Sequence, residues 1–563
     1  MIKKIFMPKI TKFTKIAFLF LCLPLVSCTS LIQDTQNSGA DLVVINAKVI
    51  TLDSSNRQSQ AVAVKSGKFI KVGSNTEIQT LIQPDTKVID ANGKTLIPGL
   101  NDAHIHMVRA GMYWKYEVRL DEATSIPKIL QLISERAQKT PKGTWILTLG
   151  GWHPSQIKER RMPTLEELDR VAPNHPVYIQ ALRDMGQMNT VAIQQSKITA
   201  QSVLPGGVNI GKDATGNFNG LIKGFNGQVL ALKAFPTPSF EEKVAGLQLV
   251  MQDFNQAGLT SVGETFGIGV DEGDYQVLFE AWRLKKMSLR VGLHFPTINH
   301  DDAKKWIKST SSSSSDDMLL FNGLGEGVLN SVGDGYMPKQ FPINNEAKDE
   351  LAKIVALGAE NKINFQFHAT LETTMNAMLD SLEKVHQTTP ISDLRITFLH
   401  AEQITPSIMT RMKKLGMGVQ MQNRQSLGSD LMQTNWGARA NDIPPVKTVY
   451  QSGLPLGGGT DGTTSSSYRP FISMHWLISG KNWRGDVVRP TEKLTREEAL
   501  KMYTQGSAWF TWEENKKGTI APNMLADFLI LDKDYFTVPE DDIRWLKPVT
   551  TVVGGKVVYQ VKE

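Results

Sequence analysis

Ten histidines occur in 563 residues, and two of them, His104 and His106, stand one residue apart in "GLNDAHIHM". Alternate residues on a strand point to the same side, so both imidazoles can aim at one point. Two imidazoles are half a metal site. Other β-like runs also end in polar residues: His368 closes "NFQFHAT", His400 closes "RITFLHAE", and Asp461 follows the glycines of "LPLGGGTD". Three imidazoles and a carboxylate suit zinc and leave a position for water. Each feature alone is ordinary, since a single histidine at a strand end is commonly structural and Asp461 in "GGGTDGTT" also reads as a helix cap. What joins them is that all sit at the same end of their strands.

Those strands must be positioned by something. "KTLIPGLNDAHIH", "LTSVGET", "SLRVGLHF", "GVLNSVGD", "NFQFHAT", "RITFLHAE", "GMGVQMQ" and "LPLGGGTD" read as strands. Helical stretches such as "EAKDELAKIVALGAEN" and "TPSIMTRMKKLG" lie between them. Alternation of this kind predicts a parallel α/β sheet, and eight strands fit a closed (β/α)8 TIM barrel whose C-terminal strand ends share one face. Gly457, Gly458 and Gly459 let the last strand pack closely at the rim. β-branched runs at both ends of the chain, "DLVVINAKVITLD" and "VTTVVGGKVVYQV" among them, predict a composite β-sandwich domain from residues 41–97 and 520–563. The barrel then occupies 98–519. Residues 108–255 are too many for one crossover and hold an insertion with strands such as "TWILTLGGW" and "PVYIQALRD". "STSSSSSDD" reads as a flexible loop.

The start of the chain carries a different signal. Lys3, Lys4, Lys9, Lys12 and Lys15 precede "IAFLFLCLPLVSC", an apolar run shorter than the roughly 20 residues a spanning helix needs. This reads as a secretory signal. Its last four residues resemble the bacterial lipobox, so residues 1–28 form a lipoprotein signal, Cys28 carries lipid, and 29–40 are a tether. A retained anchor is the competing reading. Thr29 after Cys28 favours the outer membrane, on its periplasmic face. The only other cysteine, Cys22, lies inside the signal, which leaves no thiolate for catalysis or metal binding. Hydrophobic residues at 41% and charged residues at 21% describe an ordinary globular protein. The net charge of +6 forms no basic patch interleaved with aromatics, so nucleic acid is not indicated. The expected partners are a small-molecule substrate and a membrane, with a homodimer left open.

"LIPGLNDAHIH", "FQFHATLETTMNAMLDSLE", "ITFLHAEQITPSIMTRMKKLGMGVQMQ", "LPLGGGTD" and the long C-terminal stretch from "LTREEALKMYTQGSAWF" resemble the metal-dependent amidohydrolase superfamily, and within it the amidohydrolase-3 (YtcJ-like) branch. The resemblance runs from about Asp41 to the C-terminus, with the motifs in family order. It implies hydrolysis at a carbon–heteroatom bond by metal-activated water. His104, His106 and His368 match metal ligands, Asp461 a ligand and general base, and His400 a second-metal ligand or carbonyl-orienting residue.

Two departures stand out. Two-metal relatives carry a modified lysine at the end of the fourth strand, where "EGVLNSVGDG" places Asn330; Glu264 or Asp334 are the substitutes considered. The expectation is therefore one zinc on His104, His106, His368 and Asp461, with His400 unligated and stabilising the oxyanion. The second departure is Gln187 in "ALRDMGQMNTVAI", where relatives often have histidine; glutamine keeps hydrogen bonding but cannot transfer protons. Trp152, His153 and His294 are further candidate substrate contacts. The leading reading is a hydrolase of a non-peptide amide or N-acyl bond. A deaminase or cyclic-amide hydrolase on a heterocycle is the alternative, and a non-catalytic binding lipoprotein with a degenerate site the third.

Overall fold

The computed structural model describes residues 39–53, 58–224, 226–265, 267, 270–310 and 316–562. The signal segment 1–28, most of the tether and the centre of the serine run lie outside the described residues. Among the described residues no helix is long and apolar enough to cross a membrane.

Eight parallel strands form the barrel: β1 (Leu100–Ile105), β2 (Leu259–Glu264), β3 (Arg290–Phe295), β4 (Leu319–Leu324), β5 (Asn364–Ala369), β6 (Thr397–His400), β7 (Gly418–Gln422) and β8 (Leu456–Gly459). Neighbours in sequence are neighbours in space throughout. Closure comes from backbone bonds between the ends of β8 and β1: Asp461 N donates to His104 O at 3.0 Å, and His106 N to Gly462 O at 2.9 Å. Gly459 permits this approach, because a Cβ there would lie 2.9 Å from the His104 backbone nitrogen. Several of the crossover helices are amphipathic and capped. Asn345–Glu360, for example, begins where the Asn344 side chain accepts from Ala347 N, and it turns Leu351, Ile354, Val355 and Gly358 inward.

One expected strand is misplaced. The fourth is Leu319–Leu324, not "GVLNSVGD", which is loop. The apolar "LLFNGL" follows directly on a polar serine and aspartate run, whereas "GVLN" is flanked by glycines and leaves the barrel.

The two chain ends share a β domain. In a six-stranded sheet Phe528–Leu531 lies antiparallel to Thr95–Pro98, and Pro548–Val553 and Lys556–Gln560 extend it through the Gly554-Gly555 turn. A four-stranded sheet of N-terminal strands covers it, and Val44, Val62, Phe69, Phe528 and Val552 pack between them. The insertion forms a five-stranded sheet from Ile146–Leu149, Val177–Ala181, Met185–Met188, Asn209–Lys212 and Phe218–Lys223. It is shorter than expected: Phe240–Gln256 is a barrel crossover helix, and Gly246 lies close against Gly111 of the helix after β1.

Arg290, opening β3, joins the barrel to the β domain. Its Nε and Nη2 donate to the two carboxylate oxygens of Asp527 at 2.7 and 2.9 Å, and both side chains are buried. Breaking one side of such a pair leaves an uncompensated buried charge. Asp527→Ala should therefore lower stability by about 3–5 kcal/mol, read as a fall in the urea midpoint; an unchanged midpoint would contradict the role given to this contact.

Candidate metal centre and active site

The strand ends bring four imidazoles together. His104 lies in β1 and His106 just beyond it, and their rings are 5.1 Å apart, centroid to centroid. The His104 and His400 rings are also 5.1 Å apart, and those of His368 and His400 4.3 Å. Asp461 Oδ1 stands 3.2 Å from His106 Nε2 and 3.8 Å from His104 Nε2. A second carboxylate completes the group. Glu326, in the first turn after β4, places Oε2 3.7 Å from His104 Nε2 and 3.6 Å from His106 Nε2. Its Oε1 is 3.1 Å from His400 Nε2 and hydrogen-bonded to His368 Nδ1.

Each imidazole is tied by its other nitrogen. His104 Nδ1 meets Thr265 Oγ1 at 3.2 Å, and His106 Nδ1 meets the Thr265 carbonyl at 3.3 Å. His400 Nδ1 meets Gln422 Oε1 at 2.7 Å, and His368 Nε2 the Gly335 carbonyl at 2.7 Å. A ring N–H spent on these acceptors leaves the inward nitrogen with a bare lone pair, the form that binds metal.

The donor set fits metal on three counts. His104 Nε2 is fully buried and has no hydrogen-bond partner. His400 Nε2 and His368 Nδ1 are 3.0 Å apart, and two nitrogens on one zinc ion lie about 3.0–3.4 Å apart when their angle at the metal is between a right angle and tetrahedral. Two overlapping groups, His104–His106–Asp461 and His104–Glu326–His400, keep their ligand atoms within 4.8 Å of one another.

Charge states agree with this. Burial alone raises the Asp461 carboxyl, but the nearby imidazoles of His104, His106 and His400 outweigh it and hold the group well below its ordinary range. Burial likewise opposes ionisation of Glu326, and the charges of His368 and His104 reverse that. Burial lowers His106 and His400, keeping them neutral. His368 is pushed to about 9, against its burial, by the Glu326 carboxylate; the proton it takes there is the charge a metal ion displaces.

Other expected residues fall elsewhere. Asn330 is exposed on the loop after β4 and lines the cavity four positions past Glu326, so it is not the bridging group. Glu264 turns away and accepts from Met107 N and Val108 N, capping the helix after β1. Asp334 accepts from Thr370 N and Leu371 N and stands 3.6 Å behind His368 Nε2. Gln187 does not reach the cavity: its amide donates to the carbonyls of Met188 and Asn219 inside the insertion. Trp152 is packed in the insertion's core, its indole donating to Gln180 O, and His153 caps a short 3-10 turn. His294 lies buried in the barrel between Asn322 and Asn364, lowered by burial to about 3.

The centre opens into a cavity of about 160 Å³. Beside the metal-facing residues, its walls include Arg183 from the insertion, Tyr336 from the loop after β4, and Arg424 just past β7. None of these was recognised from sequence, nor were Glu326, Thr265 and Gln422. A usable signal for Glu326 existed, an acid between two glycines directly after an apolar run, as Asp461 also sits beside glycine.

A sequence profile of the amidohydrolase family matches residues 87–559. The chain belongs to the amidohydrolase family. The chain is similar to the N-substituted formamide deformylase of Arthrobacter pascens, 26% identical over 92% of this chain and 98% of the relative. It is also similar to the putative amidohydrolase YtcJ of Bacillus subtilis (strain 168), 25% identical over 91% and 98%. A crystal structure described as an uncharacterized metal-dependent hydrolase from Pyrococcus horikoshii OT3 superposes with a TM-score of 0.64 at 20% identity, covering 89% of this chain and 99% of that one. The protein is thus a metal-dependent amidohydrolase that cleaves carbon–nitrogen bonds, in the amidohydrolase-3 branch.

Gln422 tests the tying of the rings. In this amidohydrolase Gln422→Leu removes the acceptor on His400, and metal affinity measured by chelator competition should fall about 10–100-fold with the circular dichroism spectrum unchanged. Unaltered affinity would show that His400 needs no such support.

Proposed function

We propose that this amidohydrolase holds two divalent ions, zinc by the character of its donors, and hydrolyses a non-peptide amide or N-acyl bond. The observation that carries the reading is Glu326, whose two oxygens face two different sets of imidazoles. His104, His106, Asp461 and Glu326 Oε2 would hold one ion; His368, His400 and Glu326 Oε1 the other. Glu326 thus takes the part that a modified lysine plays in other two-metal relatives. This replaces the single-ion expectation, which rested on the missing lysine at the end of the fourth strand and on Asn330 in its place. Bound there, the ions supply Lewis acidity and acidify the attacking water.

The chain's own residues do the rest. Asp461 Oδ1 faces the imidazoles and Oδ2 the cavity, where Arg424 Nη1 lies at 3.8 Å. From that place Asp461 accepts the proton of the attacking water and passes it to the leaving nitrogen. A carbon–oxygen bond forms, the carbon–nitrogen bond breaks, and the products are a carboxylate and an amine. If His400 holds an ion, it is no longer free to orient the substrate carbonyl, and that part would pass to side chains of the cavity wall. The binding-only reading loses both its supports, because Glu326 would supply the carboxylate that Asn330 cannot and Gln187 lies outside the cavity.

Metal analysis should return two ions per chain, and Glu326→Gln should hold fewer and lose turnover at least about 100-fold. Asp461→Asn should lose about 10²–10⁴-fold. Against a panel of N-acyl amines, the product should be a free amine; ammonia alone would point to deamination. From "LVSC" we also propose a lipid on Cys28 and a place in the bacterial envelope. Cys28→Ser should then move the protein from the membrane to the soluble fraction, and a variant that stays in the membrane fraction would refute the lipid anchor.

A further inference from the structure

A second cavity, of about 380 Å³, lies at the end of the barrel opposite the metal centre. Its walls come from Arg290 at the start of β3, from Met318 just before β4, and from the Gly67 and Gly554 turns of the β domain. Trp282, Met287 and Val558 give it an apolar lining, and Lys68, Lys285 and Lys556 stand exposed around it. Two charges near it are already answered: Arg290 is paired with Asp527, and Asp317 with Lys516 Nζ at 3.1 Å. Among the described residues none of the three lysines forms an ion pair, which leaves them set against Asp316 alone. Asp316 is itself turned to Met318 N and Leu319 N, from which it accepts at 2.8 and 3.1 Å. Lysine stems over an apolar floor, with a tryptophan among them, suit the boundary between water and lipid.

The chain enters the folded body beside this groove. Asp41 N donates to Val64 O at 2.8 Å, and the Asp41 carboxylate accepts at 2.7 Å from the backbone nitrogen of Ser66, which lines the groove. From Asp41 back to Cys28 the backbone can span at most about 45 Å, so a lipid on Cys28 keeps the groove within that distance of a bilayer. We propose that the groove is the membrane-facing surface of the anchored protein, with the phosphate of an anionic phospholipid headgroup held among Lys68, Lys285 and Lys556. The inference rests on the lipid-anchor reading of Cys28. Basic side chains beside a lipid anchor add an electrostatic attraction to anionic headgroups that the acyl chains alone do not supply. Leu284, 40% exposed and next to Lys285, meets the interface in this pose. The metal-centre cavity, at the opposite strand ends, then opens away from the bilayer towards substrate in water.

The test uses the full-length protein on lipid vesicles, with one added cysteine carrying a polarity-sensitive fluorophore; an acylated Cys28 leaves no competing thiol in the mature chain. At Leu284→Cys, lipids bearing a nitroxide on the acyl chain should quench the label. Quenching should be at least about threefold greater in phosphatidylcholine vesicles with about one-quarter phosphatidylglycerol than in phosphatidylcholine alone. At Val203→Cys, 94% exposed on the insertion, the label should stay unquenched in both. Lys68→Gln, Lys285→Gln and Lys556→Gln together should abolish the difference at Leu284→Cys while the protein remains on the vesicles and its hydrolytic rate is unchanged. Equal quenching in the two vesicles, a difference that survives the triple substitution, or equal quenching at Val203→Cys overturns the proposal. So does loss of the difference when millimolar inorganic phosphate replaces chloride at equal ionic strength, which would assign the groove to a free anion. If neutral vesicles do not retain the protein but the Leu284→Cys label still reports contact with anionic ones, the lipid on Cys28 falls and the groove stands.

Discussion

Two ionised carboxylates, Glu326 and Asp461, sit in a buried centre facing four imidazoles already tied from behind. Carboxylates in such a place need compensating positive charge, because taking them out of water without it costs several kcal/mol each. His368, pushed to about 9 by the Glu326 carboxylate, supplies part of it, but burial keeps His106 and His400 neutral. Metal ions meet the requirement. The barrel rim is therefore organised around charge neutralisation, with β1, β5, β6, β8 and the turn after β4 each delivering an imidazole or a carboxylate to one small volume.

That convergence places unusual demands on the backbone. His400, Ala401 and Asp461 all have φ in the left-handed region, at 72°, 48° and 53°, where non-glycine residues cost of order 1–3 kcal/mol each. The surroundings hold them there. Ala401 N donates to Ala369 O and Asp461 N to His104 O. Asp102, one turn of the pleat below His104, accepts from His104 N, Thr460 N and Thr460 Oγ1, clamping β1 to β8 directly beneath the ligands. Burial pushes the Asp102 carboxyl to about 7 despite these donors, so near neutral pH it binds through whichever mixture of carboxylate and acid these bonds can support. Strain in the two ligand-bearing turns is thus offset by a local hydrogen-bonded frame and not by the bulk of the core.

Much of this was legible in the sequence because strand ends leave periodic traces. His104 and His106 announce themselves by spacing, and His368, His400 and Asp461 by closing apolar runs, so the barrel and its β companion follow from pattern alone. Glu326 was hidden by a register error. With the fourth strand placed at "GVLN", the acid seemed to precede the strand when it in fact follows one, and Asn330 took its place. Thr265 and Gln422 were invisible for another reason: their contribution is one hydrogen bond to a ring nitrogen, which no residue pattern encodes. Gln187 shows the converse, a position that matched a family segment yet packs inside the insertion, although it lies only four residues beyond Arg183, which reaches the cavity wall.

Arg183 also indicates how the labour is divided. The converging imidazoles and carboxylates come from the strand ends of the barrel and the turns directly after them, and strand spacing sets their atoms within a few ångströms of one another. The groups that face the open cavity come from loops: Arg183 from the insertion, Tyr336 from the stretch after β4, Arg424 from the turn after β7. The insertion is seated on the rim by Gly151 N donating to Thr464 O at 2.9 Å, next to the turn that bears Asp461. A change in the insertion can therefore move Arg183 without moving any metal-facing atom. Reaction and recognition are separable in this architecture, because changes in the loops alter the cavity wall and leave the strand-end groups in place.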